Sequence, residues 1–326
     1  MSHRPVVALV TCREVPHLDD DDAPLIAALA ERGVGAAIAV WDDPQVDWEA
    51  FDLVAIRSTW DYALRREEFV RWAASVPRLQ NPAGAIRWNT DKHYLADLAR
   101  VGIPVIPTDW LEPSSDLSSR RLHTRFPALG DFVIKPAVSG GSLDSGRYSA
   151  GSPRSRGLAI RHAQRLLAAG RTVMVQRYVT SVDEVGETAL VFVDGQFAWG
   201  ARRSAMLEGP DTGAVGTYRK GAVRPVEATA AEVAIGERAL GAARELMGEG
   251  GGQPWLAARV DVVAADAGPQ VLEVELTHPS LYLSLIPGGP DRVARAIAAR
   301  AGLTSRAACQ TTRLTQAPAA AKGCTS

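Results

Sequence analysis

The middle of the chain reads FVIKPAVSGGSLDSG from Phe132 to Gly146. Its first residues are apolar apart from Lys135, which predicts a buried strand with a lysine near its end. The paired glycines that follow form a flexible segment whose backbone amides can approach phosphate oxygens. A P-loop is excluded, because Gly146 is followed by Arg147 where that motif requires lysine. The stretch favours phosphate binding by Lys135, with a lysine that only extends to solvent as the alternative.

Two carboxylates alternate on another apolar strand, at Glu273 and Glu275. Residues two apart on a strand share a face, and burying two unpaired carboxylates there is costly. A divalent cation resolves the repulsion, and Mg²⁺ prefers a few carboxylates together with phosphate oxygens and water. A hairpin-like pairing brings Asp261 alongside, with Arg259 on the same face. The alternative is an exposed sheet face on which Arg259 pairs with Glu273.

The first 80 residues predict a small parallel α/β unit. Apolar runs at residues 6–10, 36–41 and 53–56 alternate with helical patterns, the order that builds a parallel sheet. The turn after the first run, Thr11–Glu14, contains no glycine, so the GxGxxG motif of dinucleotide folds is absent.

Later segments predict mixed sheet and helix. Asn89 is the expected cap of a new helix, and residues 113–125 are polar enough to predict a loop. Asp194-Gly195 between apolar runs predicts a hairpin. Residues 229–247 predict a long helix. From residue 305 the chain loses its apolar periodicity, which predicts a disordered tail over 305–326.

Composition excludes several classes of protein. Apolar residues make up 46% and charged residues 22%, the ordinary range for a globular chain. A net charge of −1 gives no basic field for nucleic acid, and the apolar runs are too short to span a bilayer. The three cysteines lack metal or CxxC spacing. We therefore expect a cytoplasmic protein with no nucleic-acid or membrane partner.

Lysine is scarce, which makes its positions informative. Of the 36 basic residues 32 are arginine, and the lysines are Lys92, Lys135, Lys220 and Lys322. GC-rich coding explains this bias. Where lysine persists under such a bias, its compact and flexible ammonium is the property to look for, because arginine does not reproduce it.

Taken in order, these pieces resemble the ATP-grasp superfamily, close in pattern to glutathione synthetase. The matching pieces span about residues 89–280 and are Asp91-Lys92, Phe132–Pro136 with Gly140-Gly141, Gln176–Val179, Glu187, Arg259–Asp261 and Glu273–Glu275. The resemblance implies an α/β fold of ATP-grasp type, in which a small parallel domain precedes two α+β subdomains that clasp ATP. The bounds it implies are 1–88, 89–180 and 181–304, before the tail.

The resemblance also implies a role for each matching residue. The expected ATP ligands are Lys92, Lys135, Gly140, Gly141, Ser142, Gln176, Arg177, Tyr178, Val179 and Glu187. The expected ligands of Mg²⁺, or of Mn²⁺ in its place, are Asp261, Glu273 and Glu275. Glu275 departs from the family pattern, which usually has asparagine there, and so leaves the number of metal ions open. The expected catalytic arginines are Arg259, Arg203 and Arg219.

The amino half is similar to one branch of this superfamily, the D-cycloserine synthetases, which are O-ureido-D-serine cyclo-ligases. The similar segments are DLVAIRSTWDY at residues 52–62 and RWNTDK at residues 87–92. The first follows a predicted strand, so it belongs in the crevice where α/β folds bind ligands. The expected substrate-side residues are Thr11, Arg13, Arg57, Ser58, Thr59 and Asp61. Packing roles for Trp60 and Tyr62, with Asp61 as a helix cap, are the alternative.

The expected function is therefore ATP-dependent carboxylate–amine ligation through an acyl phosphate, with cyclo-ligation in antibiotic biosynthesis as the specific form. The partner is a small amino-acid-like molecule, and a homodimer remains open. Three alternatives stay open: an intermolecular amino-acid or peptide ligase, a phosphotransferase, and a non-catalytic nucleotide-binding regulator. Cys12 is expected to be a core thiol rather than a nucleophile, because no histidine is placed to activate it.

Overall fold

The structure is a computed structural model that describes residues 4–114, 118–211 and 221–315, with side chains up to residue 302. Arg219 and residues 316–326 lie outside the described residues.

The strands are β1 (Val6–Thr11), β2 (Gly35–Val40), β3 (Leu53–Ser58), β4 (Leu79–Gln80), β5 (Thr108–Leu111), β6 (Asp131–Pro136), β7 (Gly146–Ser149), β8 (Val173–Arg177), β9 (Glu187–Val193), β10 (Gln196–Arg203), β11 (Val223–Val226), β12 (Ala257–Val263) and β13 (Gln270–Glu275). The helices are α1 (Pro24–Ala30), α2 (Arg66–Ser75), α3 (Ala83–Asn89), α4 (Tyr94–Arg100), α5 (Ser119–Arg125), α6 (Pro153–Ala168), α7 (Ser181–Val185), α8 (Ala230–Leu246) and α9 (Gly289–Thr315).

The first sheet is parallel, in the order β2-β1-β3-β4. Its central strands β1 and β3 are almost wholly buried, because helices cover both faces, and this explains their continuous apolar runs. The parallel α/β unit predicted from the sequence is confirmed. Its carboxyl edge, where Arg57 and Ser58 end β3, faces the rest of the molecule.

Two antiparallel sheets follow. The second sheet has the order β5-β8-β6-β7, and the third has the order β11-β10-β9-β12-β13. The predicted Asp194-Gly195 hairpin joins β9 to β10 in the third sheet, with both residues at positive φ as such turns require. The mixed α/β architecture expected from the sequence is therefore confirmed.

Helix α9 joins the first sheet to the third. Its residues Val293 and Ile297 are buried in one cluster with Leu29 of α1 and Val191 of β9. Burying an aliphatic side chain contributes about 1.5–3 kcal/mol, so this cluster holds the two sheets in a fixed relation.

Helices α3 and α4 share a buried cluster with the third sheet, and this cluster also includes Met174 of the second sheet. Tyr94 and Leu98 of α4 are buried in one cluster with Leu240 of α8 and Val260 of β12. The domain bounds inferred from the resemblance, which place residues 89–180 in one unit, remain a prediction. The packing groups the segment that carries Lys92 with the third sheet.

The structure corrects three local predictions. Asn89 ends α3 instead of starting a helix, because its side chain bonds to backbone groups of β13. Part of the predicted loop 113–125 is helix α5, whose first turn is capped by Ser118. The tail predicted to be disordered from residue 305 is helical as far as Thr315, since Ala and Arg favour helix and extending an existing helix costs little.

None of the helices among the described residues is long and apolar enough to cross a membrane.

Two glycines of α8 should respond oppositely to substitution. A Cβ at Gly236 would lie 2.9 Å from Leu190 Cδ1 and 3.0 Å from Phe192 Cζ, whereas nothing lies within 4 Å of one at Gly241. We expect Gly236→Val to lower the free energy of unfolding by about 1–3 kcal/mol through overpacking. Gly241→Ala should raise it by about 0.5–1 kcal/mol through helix propensity. Urea unfolding measures both, and equal effects would contradict close packing at Gly236.

Candidate active site

Two adjoining cavities meet where the three sheets converge. The smaller, of about 100 Å³, lies between the second and third sheets. The larger, of about 300 Å³, lies between the carboxyl edge of the first sheet and the third sheet. Both are lined by Gly141, Ser142, Arg203 and Glu273, so a molecule in one can reach a molecule in the other.

The two sequence-predicted lysines both line the smaller cavity. Lys92 Nζ donates to the Ser139 carbonyl at 2.6 Å and lies 3.1 Å from Glu273 Oε1. Burial lowers the pKa of Lys135 despite the nearby Glu273, with Lys92 acting in the same direction as burial. Both lysines thus lie beside carboxylates in a cavity where an anionic ligand can also reach them.

The predicted carboxylate cluster forms in the structure. Asp261 lies opposite Glu273 in the β12–β13 ladder, and carboxylate oxygens of Asp261, Glu273 and Glu275 all lie within 4.8 Å of one another. Arg259 lies among them, with its Nε 2.8 Å from Asp261 Oδ1 and one terminal nitrogen 2.6 Å from Glu275 Oε1. Arg259 is only 2% exposed, which excludes the alternative of an exposed sheet face.

The pKa values of the two glutamates move in opposite directions. Burial raises the pKa of Glu273, but Lys92 and Lys135 outweigh it and bring the pKa to about 2. Burial also raises the pKa of Glu275, and Arg259 compensates only in part because Glu273 repels a second charge, which leaves the pKa at about 7. The site therefore holds one firmly ionised glutamate beside one that protonates near neutral pH.

Arg203 links the cluster to Glu187, the ATP ligand that the family resemblance assigns to the ribose. Its guanidinium lies 2.9 Å from Asp261 and 3.0 Å from Glu187. Gly186 fixes the start of β9, because its φ is +78° and a Cβ there would lie 2.2 Å from the Arg203 carbonyl oxygen. Arg259 and Arg203 are thus brought together as predicted, while the third predicted arginine, Arg219, lies outside the described residues.

The glycine loop is anchored at its first residue. The Ser139 carbonyl accepts hydrogen bonds from Lys92 Nζ at 2.6 Å and Tyr62 Oη at 3.3 Å. Gly140 lies against Tyr62 and His278, since a Cβ there would come within 3.8 Å of both rings. The loop start is thereby joined to the amino-terminal unit and to the segment after β13.

Residues 176–179, the segment that the family resemblance assigns as a hinge on the adenine side of ATP, line the smaller cavity. The Gln176 amide donates to Thr108 Oγ1 at 2.8 Å, so this amide is used inside the second sheet. Tyr178 donates to Asp183 at 2.5 Å and its ring lies under the Arg147 guanidinium. The Tyr178 backbone amide is also used, because it donates to the Asp131 carbonyl at 2.9 Å.

Arg57 and Ser58 line the larger cavity, but both are already bonded to Asp22. Arg57 donates to Asp22 Oδ1 at 2.7 Å and to the Pro279 carbonyl at 3.0 Å. Ser58 donates to Asp22 Oδ2 at 3.1 Å. The expected substrate-side role of Arg57 therefore competes with a buried ion pair that holds the first sheet against the segment after β13.

The other predicted substrate-side residues are not among those lining either cavity. Thr11 donates to the Val15 carbonyl at 2.5 Å, and the largely exposed Arg13 pairs with Asp42 at 3.2 Å. Thr59 is buried. Asp61 accepts from the Trp41 indole at 2.9 Å, so it is no helix cap.

The alternative of packing roles for Trp60 and Tyr62 holds for one of these two residues. Tyr62 is buried and packs against Phe69. Trp60, by contrast, lines the larger cavity. Cys12 is buried, and burial followed by the charge of Asp61 raises the pKa of its thiol, which agrees with a core thiol.

Sequence reasoning missed part of the larger cavity. Its lining includes Asp21 and, from the segment after β13, Ser280, Tyr282 and Ser284. Asp21 Oδ1 accepts hydrogen bonds from the Ser284 backbone at 2.9 Å and hydroxyl at 2.8 Å. The run of four aspartates at residues 19–22 was the available signal, but nothing local indicates that it faces residues more than 250 positions away.

Solved structures share the fold of this chain. The D-alanine–D-alanine ligase of Bacillus anthracis complexed with ATP has a TM-score of 0.63 at 14% identity, over 94% of this chain and 100% of that one. A RimK domain protein ATP-grasp from Sphaerobacter thermophilus has a TM-score of 0.61 at 20% identity, over 91% and 99%. Identities this low show the fold alone, which is the ATP-grasp fold.

Closer relatives narrow the class. The model for the N-terminal domain of D-cycloserine synthetase DcsG matches residues 7–82. The cycloserine biosynthesis protein DcsG of Streptomyces lavendulae is 39% identical over 303 residues, 90% of this chain and 98% of that protein. The crystal structure of D-cycloserine synthetase DcsG has a TM-score of 0.80 at 37% identity, over 91% and 99%. The chain belongs to the D-cycloserine synthetase DcsG family, and it is an ATP-dependent ligase.

His278 should make the fold acid-sensitive. Burial lowers its pKa to about 4 from 6.5, so the unfolded chain takes up a proton at a higher pH than the folded one. Stability is therefore full above pH 6.5 and falls by about 3 kcal/mol as the pH drops towards 4. Urea unfolding of wild type and His278→Phe at pH 7 and pH 4.5 tests this. The wild type should lose more stability than the variant, and equal losses would contradict a buried neutral imidazole.

Proposed function

We propose that this enzyme closes O-ureido-D-serine to D-cycloserine through an acyl phosphate, and so serves antibiotic biosynthesis. The observation that carries the proposal is the meeting of two cavities at Glu273 and Arg203. One cavity has the lysines and hinge of a nucleotide site, and the other has the polar lining of an amino-acid site. A phosphoryl group can pass between them only at this junction.

The smaller cavity supports ATP binding. Lys92 and Lys135 would neutralise phosphate oxygens as point charges, and Gly140 with Gly141 allows the loop to come close to them. Val133 and Leu272 give apolar faces for the adenine ring. The backbone of residues 177–179 would meet its polar edge.

The carboxylate cluster fits a magnesium ion. Asp261, Glu273 and Glu275 supply hard oxygen donors at close spacing, the donor set that Mg²⁺ and Mn²⁺ prefer. When bound, the ion would neutralise charge on the phosphates during transfer. The residues of this chain that remain to act are Arg259 and Arg203, whose fixed positive charges lie beside the transferring group.

The larger cavity supports a zwitterionic substrate with further polar groups. Asp21 and Ser284 lie on one wall, while Arg259 and Glu273 lie towards the nucleotide cavity. The acidic wall suits the substrate ammonium. The substrate carboxylate then points to Arg259, where it would receive the γ-phosphoryl group.

The proposed cyclo-ligation has three steps, which are phosphorylation, ring closure and hydrolysis. The carboxylate oxygen attacks the γ-phosphorus, giving an acyl phosphate and ADP. The ureido nitrogen next to the ether oxygen attacks the acyl carbon of the same molecule, loses a proton and expels phosphate, which closes the ring. One hydrolysis then removes the carbamoyl group from the ring nitrogen as carbon dioxide and ammonia. Closure of the loop at residues 139–146 would protect the acyl phosphate from water.

We also propose a cytoplasmic location, with a homodimer left open as the assembly. Both remain predictions from the composition and the family resemblance.

The lysines provide a test of the nucleotide site. Lys92→Arg and Lys135→Arg should each lower kcat/KM for ATP at least tenfold, because a planar guanidinium does not replace the buried ammonium. Lys322→Arg, which has no assigned role, is the matched control and should match wild type in a phosphate-release assay. The stronger changes Lys135→Ala and Glu273→Ala should abolish turnover. Full turnover in both would refute the assignment of the site.

Product analysis distinguishes the proposed reaction from the alternatives. With O-ureido-D-serine and ATP, we expect D-cycloserine, ADP and phosphate in equal amounts, detected by mass spectrometry. A dipeptide formed from paired amino acids would instead indicate an intermolecular ligase. A stable phosphorylated product without a new C–N bond would indicate a phosphotransferase, and ATP binding without turnover would indicate a regulator.

A further inference from the structure

The strand that carries two of the metal-site carboxylates lies at the edge of its sheet. β13 pairs with β12 on one side only. Near its start the other side is covered by backbone, because Val271 donates to the Pro104 carbonyl at 2.8 Å and accepts from the Ile106 amide at 3.2 Å. Towards its end, where Glu273 and Glu275 lie, no described strand covers it.

Side chains take the place of the missing strand. The amide and carbonyl groups of Val274 and Leu276 face the open edge. Each of these four backbone groups is hydrogen-bonded to one or more of three buried side chains, which are Tyr94, Asn89 and Asn81. Tyr94 Oη accepts from the Val274 amide at 3.0 Å and donates to its carbonyl at 2.9 Å. This tyrosine therefore makes the two bonds that a residue of a neighbouring strand would make.

The asparagines complete the edge. Asn89 donates to the Val274 carbonyl at 2.7 Å and accepts from the Leu276 amide at 2.7 Å. Asn81 donates to the Leu276 carbonyl at 2.8 Å and accepts from the Leu256 amide at 2.8 Å. Losing any of these partners would leave a buried peptide group unsatisfied, which is costly.

Two of these side chains belong to the short segment that also carries Lys92, one of the two lysines proposed to bind phosphate. Asn89 and Tyr94 flank Lys92, which itself lies 3.1 Å from Glu273. Val274 stands between Glu273 and Glu275, so bonds to its peptide groups fix the strand position from which both carboxylates project. The spacing between the lysine and the carboxylates is thereby set by one short segment.

We propose that Tyr94 and Asn89 are positioning residues, which hold Glu273 and Glu275 in register with Lys92 for cation and phosphate binding. The proposal rests on the proposed function only for the identity of the site as a nucleotide and metal site. Neither residue touches the reacting atoms. Each acts through the backbone of β13, as residues behind a metal ligand commonly do.

The test compares Tyr94→Phe with Tyr148→Phe. Both remove a buried hydroxyl that makes hydrogen bonds, but Tyr148 lies on β7 of the second sheet and bonds to His162 of α6, away from β13. Mn²⁺ binding in the presence of ADP is followed by electron paramagnetic resonance, and amide exchange of residues 273–277 by hydrogen–deuterium exchange. We expect Tyr94→Phe to weaken Mn²⁺ binding about tenfold and to speed exchange at Val274, with neither change in Tyr148→Phe.

Asn89→Ala provides a second variant. We expect it also to weaken Mn²⁺ binding and to speed amide exchange, in this case at Leu276. If Mn²⁺ affinity in Tyr94→Phe equals that of Tyr148→Phe, the positioning role is refuted and the tyrosine is only structural. If the wild-type protein binds no Mn²⁺ with ADP, the metal site and this inference both fail. If it binds Mn²⁺ but makes no D-cycloserine, the proposed function fails while the positioning role is still decided by the variants.

Discussion

Charge balance at the junction of the three sheets is the constraint on which the site depends. Its four carboxylates and four cations are Glu187, Asp261, Glu273, Glu275, Lys92, Lys135, Arg203 and Arg259. An isolated buried charge costs several kcal/mol, and removing one partner of a buried pair exposes that cost. Because Asp261 is 1% exposed and Arg259 2%, these groups are stable only as a set. The set combines four segments of chain, which are the residues around Lys92, β6, the β9–β10 hairpin and the β12–β13 pair, and so it also ties the second sheet to the third.

This balance gives the two glutamates different properties. Glu273 faces two lysines and stays ionised, whereas Glu275 shares a single arginine with Asp261 and has a pKa near 7. A nucleotide and a divalent cation would enter a site whose charges already neutralise one another. Bound phosphates would then replace carboxylates as partners of the lysines, and the cation would replace Arg259 as a partner of the carboxylates.

Much of this site could be predicted from the sequence, because its parts carry local signals. A lysine on an apolar strand before glycines, and acids alternating along another strand, identify Lys135 and the Glu273–Glu275 pair without coordinates. The partners of these groups have no such signal. Asn89 was expected to cap a helix, yet its side chain bonds to Val274, 185 residues away. The aspartates at residues 19–22 gave no indication of the cavity that they line.

Local sequence is enough to indicate which strands are buried, where the glycine loop lies and which side chains bring charge to the site, since these depend on neighbours within a few residues. How each charged or polar group is used depends on the complete fold. The fold pairs Arg57 with Asp22 and places Arg203 and Glu273 at the meeting point of the two cavities. The physical reason is that a buried polar group must find a partner wherever the fold supplies one, and the fold supplies it from distant parts of the chain.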